Sequence, residues 1–129
     1  MPGIDHKNTT LKAYTLESNL LKGRACKTGT VTGAVTAVTA TTDIVKGFAI
    51  DDGVTGENRA IAEDGGHVMV EAGAAFSADV DLMIDSVGRG IAWTAAGGTN
   101  VQRIGKALEA ATAAGDYVPM LLAVTTKQG

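Results

Sequence analysis

Asp79, Asp81 and Asp85 bracket the apolar run Leu82-Met83-Ile84, and with His67 they are the side chains best suited by type to hydrolysis. Acid–base work by two carboxylates needs one of them held in a pocket that raises its pKa. On a strand, Asp81 and Asp85 point the same way with Met83 between them, as charges on a half-wet face do. No triad spacing joins them to His67. Asp51, Asp52, Glu57, Glu63 and Asp64 crowd one loop, but a calcium loop needs ligands at alternating positions and a closing glutamate, which Asp51-Asp52-Gly53-Val54-Thr55-Gly56-Glu57 lacks. His6, His67 and Cys26 have no zinc spacing. Ser18, Ser77 and Ser86 lack the G-x-S-x-G setting of an activated serine, and Gly88-x-Gly90 and Gly97-Gly98 do not form a phosphate loop. The expectation is a protein without catalytic residues, metal or cofactor.

The elements around these residues are short alternating runs punctuated by glycine and aspartate. They include His67-Val68-Met69-Val70-Glu71, Asp81-Leu82-Met83-Ile84-Asp85 and Gly90-Ile91-Ala92-Trp93-Thr94, then Arg103 to Leu108 and Tyr117 to Leu122. Such runs read as strands that bury one face. Val68, Val70 and Ala72 should point inward, and Gly88-Arg89-Gly90 should turn a hairpin between the strands at Leu82 and Ile91. Upstream, Val31, Gly33 and Val35 share a face, and the phase change at Val38 predicts a bulge between Val35 and Val38. Phe48 and Ile50 share another face, and Ala60-Ile61-Ala62 reads as a short strand. Gly105 to Ala114 is rich in helix formers, so propensity alone predicts a helix ending at Gly115. Pro119 predicts an edge position for the last strand.

Residues 1–22 are polar, with scattered anchors at Ile4, Leu11, Tyr14, Leu16, Leu20 and Leu21. Leu16, Leu20 and Leu21 could share a short helical face capped by Gly23, but so short a helix is marginal. The preferred reading is an extended N-terminal arm over residues 1–22, docked on a neighbour, followed by a β domain over residues 23–129.

At 129 residues the chain is one domain. It is 45% hydrophobic yet only 4% aromatic, so its core must be thin and built from small side chains. Burial against a partner would supply what such a core lacks. The net charge of −3 argues against nucleic acid, which requires a clustered basic surface; Lys22, Arg24 and Lys27 are the densest basic group. No apolar run approaches the ~20 residues of a membrane-spanning helix. A single cysteine and the absence of a basic-then-apolar leader point to assembly in a reducing cytoplasm.

The C-terminal half resembles the small capsid decoration, or cement, proteins of tailed bacteriophages. The resemblance rests on Glu71-Ala72-Gly73-Ala74-Ala75-Phe76 with the strand Val80 to Ile84, and on Gly88-Arg89-Gly90-Ile91-Ala92-Trp93. It rests also on Arg103-Ile104-Gly105-Lys106-Ala107-Leu108-Glu109-Ala110, the turn Ala113-Ala114-Gly115-Asp116 and a final strand. It covers residues 23 to 124. It implies an all-β fold, a small β-barrel or β-sandwich with the arm attached, in which Ile104 to Leu108 is a strand rather than a helix. It also implies a homo-oligomer, often a trimer, that binds the major capsid protein on the outer surface of the virion.

The expected capsid contacts are the arm residues Ile4, Leu11, Tyr14, Leu16, Leu20 and Leu21. The expected oligomer interface is Ile91, Trp93, Tyr117 and Met120, since tryptophan and tyrosine are enriched at interfaces. A β-sandwich module for carbohydrate or a host-surface receptor is the alternative, as is a head or tail completion protein.

Overall fold

The computed structural model describes residues 10–63, 65–94 and 100–128. Within them the fold is all-β. Ten strands form two adjoining units: β1 (Leu11–Leu16), β2 (Ala25–Thr28), β3 (Ala34–Ala37), β4 (Gly47–Ala49) and β5 (Asn58–Ala62), then β6 (His67–Glu71), β7 (Asp81–Ile84), β8 (Gly90–Ala92), β9 (Asn100–Ala107) and β10 (Tyr117–Gln128). The first five close into a barrel in the order β1-β3-β2-β4-β5. The second five form a sheet in the order β6-β10-β9-β7-β8. This sheet curls until its outer strands nearly meet: Ala72 bridges Gly90, and the Gly73 amide donates to the Gly90 carbonyl at 2.8 Å.

Alternation along the barrel strands separates two apolar clusters. Leu16, Leu20, Cys26, Val35, Ala49 and Ile61 fill the barrel. Their chain neighbours Ala25, Phe48 and Ala62 point the other way and join Val68, Val70, Leu82, Ile84, Ile104, Met120 and Leu122 of the sheet. Ala25 pairs with Phe48, and Phe48 with Ala62, so these three form one row across β2, β4 and β5. The barrel wall is therefore also the lid on the sheet's concave face. Backbone bonds tie the units together at Gly23, whose amide donates to Ala49 and whose carbonyl accepts from Glu71, both at 2.8 Å. Gly23 sits at φ +79, and a Cβ there would lie 2.9 Å from both the Glu71 nitrogen and the Tyr117 ring. Only glycine suits that conformation and that space. Beside it Arg24 Nε meets Glu71 Oε1 at 2.8 Å and Nη2 meets Oε2 at 3.4 Å, a fork held across the junction.

Several sequence expectations hold. Val68, Val70 and Ala72 are buried, β7 and β8 form the expected antiparallel pair across Gly88-Arg89-Gly90, and Ala60 to Ala62 lie in β5. Others need correction. Residues 11–22 are not a free arm: β1 is a barrel stave, and Leu20 bridges Gly53 in extended backbone rather than helix. Residues 1–9 of the expected arm lie outside the described part.

The helix predicted over Gly105 to Ala114 is instead β9 and a turn. The tertiary environment overrides propensity there, because β9 is a central strand flanked by β10 and β7. No bulge interrupts β3, whose pairing with β2 is regular from Ala37 to Val35. Val38 lies just past the strand and packs into the sheet's cluster. A register shift occurs instead between Leu122 and Thr125 of β10.

Pro119 lies in an interior strand, between β6 and β9. Its carbonyl accepts from the Leu108 amide at 3.0 Å, so its nitrogen also faces the β9 side. The paired register of β9 and β10 starts one position further on, at Met120 opposite Ala107. The missing donor thus falls where the ladder ends.

Single carboxylates lock the turns. Asp43 Oδ2 accepts from the Thr39 amide, the Thr39 hydroxyl, the Ala40 amide and Lys27 Nζ. Asp116 Oδ2 accepts from the Thr112 amide, the Thr112 hydroxyl and the Ala113 amide in the same pattern. Glu17 reaches across to the Thr30 amide and hydroxyl and the Val31 amide. Hydrogen bonds to the charged form favour it, so all three carboxyls are held below their usual pKa, chiefly by Thr39, Thr112 and Thr30 respectively.

Two outcomes follow for stability. A Cβ on Gly105 would lie 2.1 Å from the Leu121 carbonyl oxygen and 3.0 Å from the Met120 side chain, so Gly105→Ala must part the central β9–β10 ladder. Urea unfolding should show a loss of about 2–4 kcal/mol; an unchanged midpoint would contradict the packing described. Because Glu17, Asp43 and Asp116 titrate lower when folded than the ~4 of an unfolded chain, their contribution is complete above that value and is lost as pH falls through the depressed folded values. Urea midpoints at pH 7, 4 and 2.5 should decline in that order. Joint Asp43→Asn and Asp116→Asn substitution should reduce the decline.

Candidate interaction surfaces

The residues capable of chemistry do not converge. Asp81 is paired with Arg103 Nε at 2.7 Å. Asp85 is paired with Arg89 Nε at 2.9 Å and also accepts from the Val87 and Arg89 amides. His67 is on β6, opposite Leu121 and separated from β7 by two strands. The loop carboxylates are dispersed in the same way. Asp52 accepts from the Lys22 amide, Glu57 pairs with Arg59 at 3.0 Å, and Glu63 takes the Tyr14 hydroxyl and Lys46; Asp64 is outside the described residues. Among the described residues no group of three or more histidine, cysteine, aspartate or glutamate side chains is placed to hold a metal ion. Cys26 is buried in the barrel, and desolvation pushes its thiol up to about 12, far from a nucleophile's range. Lys22, Arg24 and Lys27 are dispersed over the Tyr117 ring, Glu71 and Asp43, so they do not form a basic patch.

What converges instead is the convex face of the second sheet. Register fixes its members. Met83 is opposite Ile91, Asp81 opposite Lys106, Lys106 opposite Leu121, and Leu121, Pro119 and Tyr117 are opposite His67, Met69 and Glu71. Strand periodicity places Trp93 beyond Ile91 on the same side. Ile91 and Met83 on β8 and β7, and Pro119 and Met69 on β10 and β6, lie on this side in two apolar pairs separated by Lys106 of β9; Met83 and Pro119 are buried, and Ile91 and Met69 are half-buried. Leu121 and Trp93 flank them, and the Arg24–Glu71 fork and Tyr117 close one end. Lys22 Nζ stands 5.0 Å from the Tyr117 ring centroid, and Tyr117 is 43% exposed.

Of the four residues expected at an oligomer interface, Ile91, Trp93 and Tyr117 share this face. Met120 does not: it points into the sheet's core and is fully buried. Its neighbours Tyr117 and Leu121 carried the correct phase, and counting by two from either would have excluded it. Among the expected capsid contacts, Leu16 and Leu20 are barrel core at 1% and 2% exposure. Burial removes both from any contact surface. Leu11 and Leu21 are exposed, Tyr14 is half-buried with its hydroxyl on Glu63, and Ile4 lies outside the described residues.

A shallow groove between the units was not foreseen. Leu21 and Val87 form its rims, Leu20 and Val38 its floor, and Asn19, Arg24, Thr39 and Ser86 its polar edges. It exists because Gly88, at φ +90, brings the β7–β8 turn against β2, where its carbonyl accepts from the Ala25 amide at 2.8 Å. The glycine of that turn was legible in the sequence; its partner strand was not.

No family model matches the chain, and no curated protein matches it. Among solved structures, it is similar to the N base of the head fibre protein gp8.5 of bacteriophage phi29, with a TM-score of 0.66 and 18% identity over 89% of this chain and 94% of that one. The likeness extends through both the barrel and the sheet. At that identity it shows a shared all-β fold.

Proposed function

We propose that this chain is a structural protein of a bacteriophage head, bound to the outer surface of the assembled capsid through the major capsid protein. The observation that carries the reading is the likeness over nearly the whole chain to a phage head fibre base, joined to the resemblance of residues 23 to 124 to capsid decoration proteins. The convex face supports association of copies. It holds Ile91, Trp93 and Tyr117 on one side of one sheet, with Ile91 and Trp93 half-buried and Tyr117 exposed. The protein works without catalysis. A chain that binds the assembled shell and not its free subunits stabilises the shell by mass action, about 2.7 kcal/mol per site at a free concentration one hundred times Kd.

The fibre-base likeness favours a second reading, in which the chain is a pedestal for a longer projection and leaves shell stability unchanged. Sedimentation of purified chain with capsids of its own virus tests the common part: co-sedimentation is expected, and its absence removes both readings. Heating the particles with and without the chain then separates the two. A raised disruption temperature supports decoration, and an unchanged one supports the pedestal. Ile91→Asp with Trp93→Ser should lower the oligomer mass seen by native mass spectrometry while leaving the circular dichroism spectrum intact. A wild-type mass in that variant would remove the convex face from the assembly.

A further inference from the structure

The barrel is closed, yet among the described residues one side of the leading half of β1 has no partner strand. The amides of Leu16 and Glu63 bond to Glu57 and Thr10 across the β1–β5 ladder, so the even-numbered residues of β1 turn their backbone groups towards β5. The odd-numbered residues face the other way. Thr15 uses that side, donating to Gly33 at 3.0 Å. β3 meets β1 only at Thr15 and Leu16, so the N–H and C=O groups of Leu11 and Ala13 point past the end of β3. Leu11, Lys12 and Ala13 are all exposed, and among the described residues no strand pairs with this side of the stretch. An exposed, flat strand edge is a template for another strand.

We infer that Leu11 to Ala13 is a strand-addition edge that takes an extended segment of a different protein, with apolar residues beside Leu11 and Ala13 and a carboxylate beside Lys12. The apolar requirement comes from the row Ala25, Phe48, Ala62 and Leu11, which runs across four strands. Its first three members are covered by the sheet, while Leu11 is left 47% exposed. The carboxylate requirement comes from charge. On the Lys12 side of the strand Glu63 is matched by Lys46 at 3.5 Å, and among the described residues Lys12 has no ionic partner.

The same charge argues against a second copy of this chain. Two-fold antiparallel pairing of these edges sets Leu11 opposite Ala13 and Lys12 opposite Lys12, which places like charges face to face. Under the function proposed above, on which this inference rests, the segment belongs to the shell-forming protein.

The test uses full-length protein and capsids of its own virus. Ala13→Pro removes an edge donor that the β1–β5 ladder does not use, and Lys12→Glu reverses the charge without touching the backbone. Each should bind particles about tenfold more weakly than wild type, and the Leu11 and Ala13 amides should exchange quickly in the free chain and slowly on particles. Wild-type binding by both folded variants overturns the edge while leaving the head reading intact. Wild-type protein that ignores particles overturns both. Slow exchange in the free chain, or a loss of oligomer mass in Ala13→Pro, would mean that this chain or its own copy fills the edge, and would overturn the inference. If Ala13→Pro does not fold, Lys12→Glu and the exchange rates decide.

Discussion

Ala25, Phe48 and Ala62 face the sheet, while Cys26, Ala49 and Ile61, next to them in sequence, face the barrel interior. One wall of three short strands therefore supports two cores. The arrangement follows from composition. With aromatics at 4% of the chain, few side chains can span a cavity, so the two units must approach closely and share a partition. Phe48 is the large residue in that partition. Truncating a buried phenylalanine in a core costs about 3–5 kcal/mol, a large share of the 5–15 kcal/mol that holds a typical domain together. Around it the sheet-facing side of the partition is built from the alanines Ala25 and Ala62. At Gly47 a Cβ would come within 2.4 Å of the Ala62 carbonyl oxygen, which shows how little room the shared wall leaves.

That partition explains which features could be read from the sequence. Strands with one wetter face announce themselves by alternation, as β6 does with Val68 and Val70 buried between half-buried His67 and Met69. Where they form the shared wall, β2 and β4 are apolar on both sides, so Ala25-Cys26 or Phe48-Ala49 carries no period that a single-face argument can use. The expectation of one core failed at the same place. The arm failed for a related reason. Leu11 to Leu16 reads as polar and mixed because only Leu16 points fully inward, and closure of the barrel comes from long-range pairing with Asn58 to Ala62, which composition cannot reveal. The turns at Asp43 and Asp116 share a sequence pattern that was not used: Thr-Ala-x-x-Asp occurs at both, with the same bonds.

Surface features were legible in proportion to how local they are. The shared side of Ile91 and Trp93 follows from a spacing of two. Their alignment with Tyr117 depends on registers passed through β7, β9 and β10, and the irregularity between Leu122 and Thr125 changes the phase along the last strand. The groove at Leu21 and Val87 depends on where Gly88 touches Ala25, a contact between residues far apart in the chain. Neither the alignment with Tyr117 nor the groove has a signature in the local sequence.

The shared wall also bears on the open edge of β1. Parallel pairing of β1 with β3 spans two residues, Thr15 opposite Ala34 and Leu16 opposite Val35, because β3 begins only at Ala34. Among the described residues the leading half of β1 is left on a single ladder with β5, and Leu11, Lys12 and Ala13 are exposed. Strands held this way open at low free energy, well below global unfolding. Lengthening β3 backwards would close the edge, but Gly29 to Gly33 form a turn pinned to Glu17, and Gly33 takes a left-handed conformation at φ +82. The turn that completes the barrel at Thr15 is the same one that stops its seam from running further.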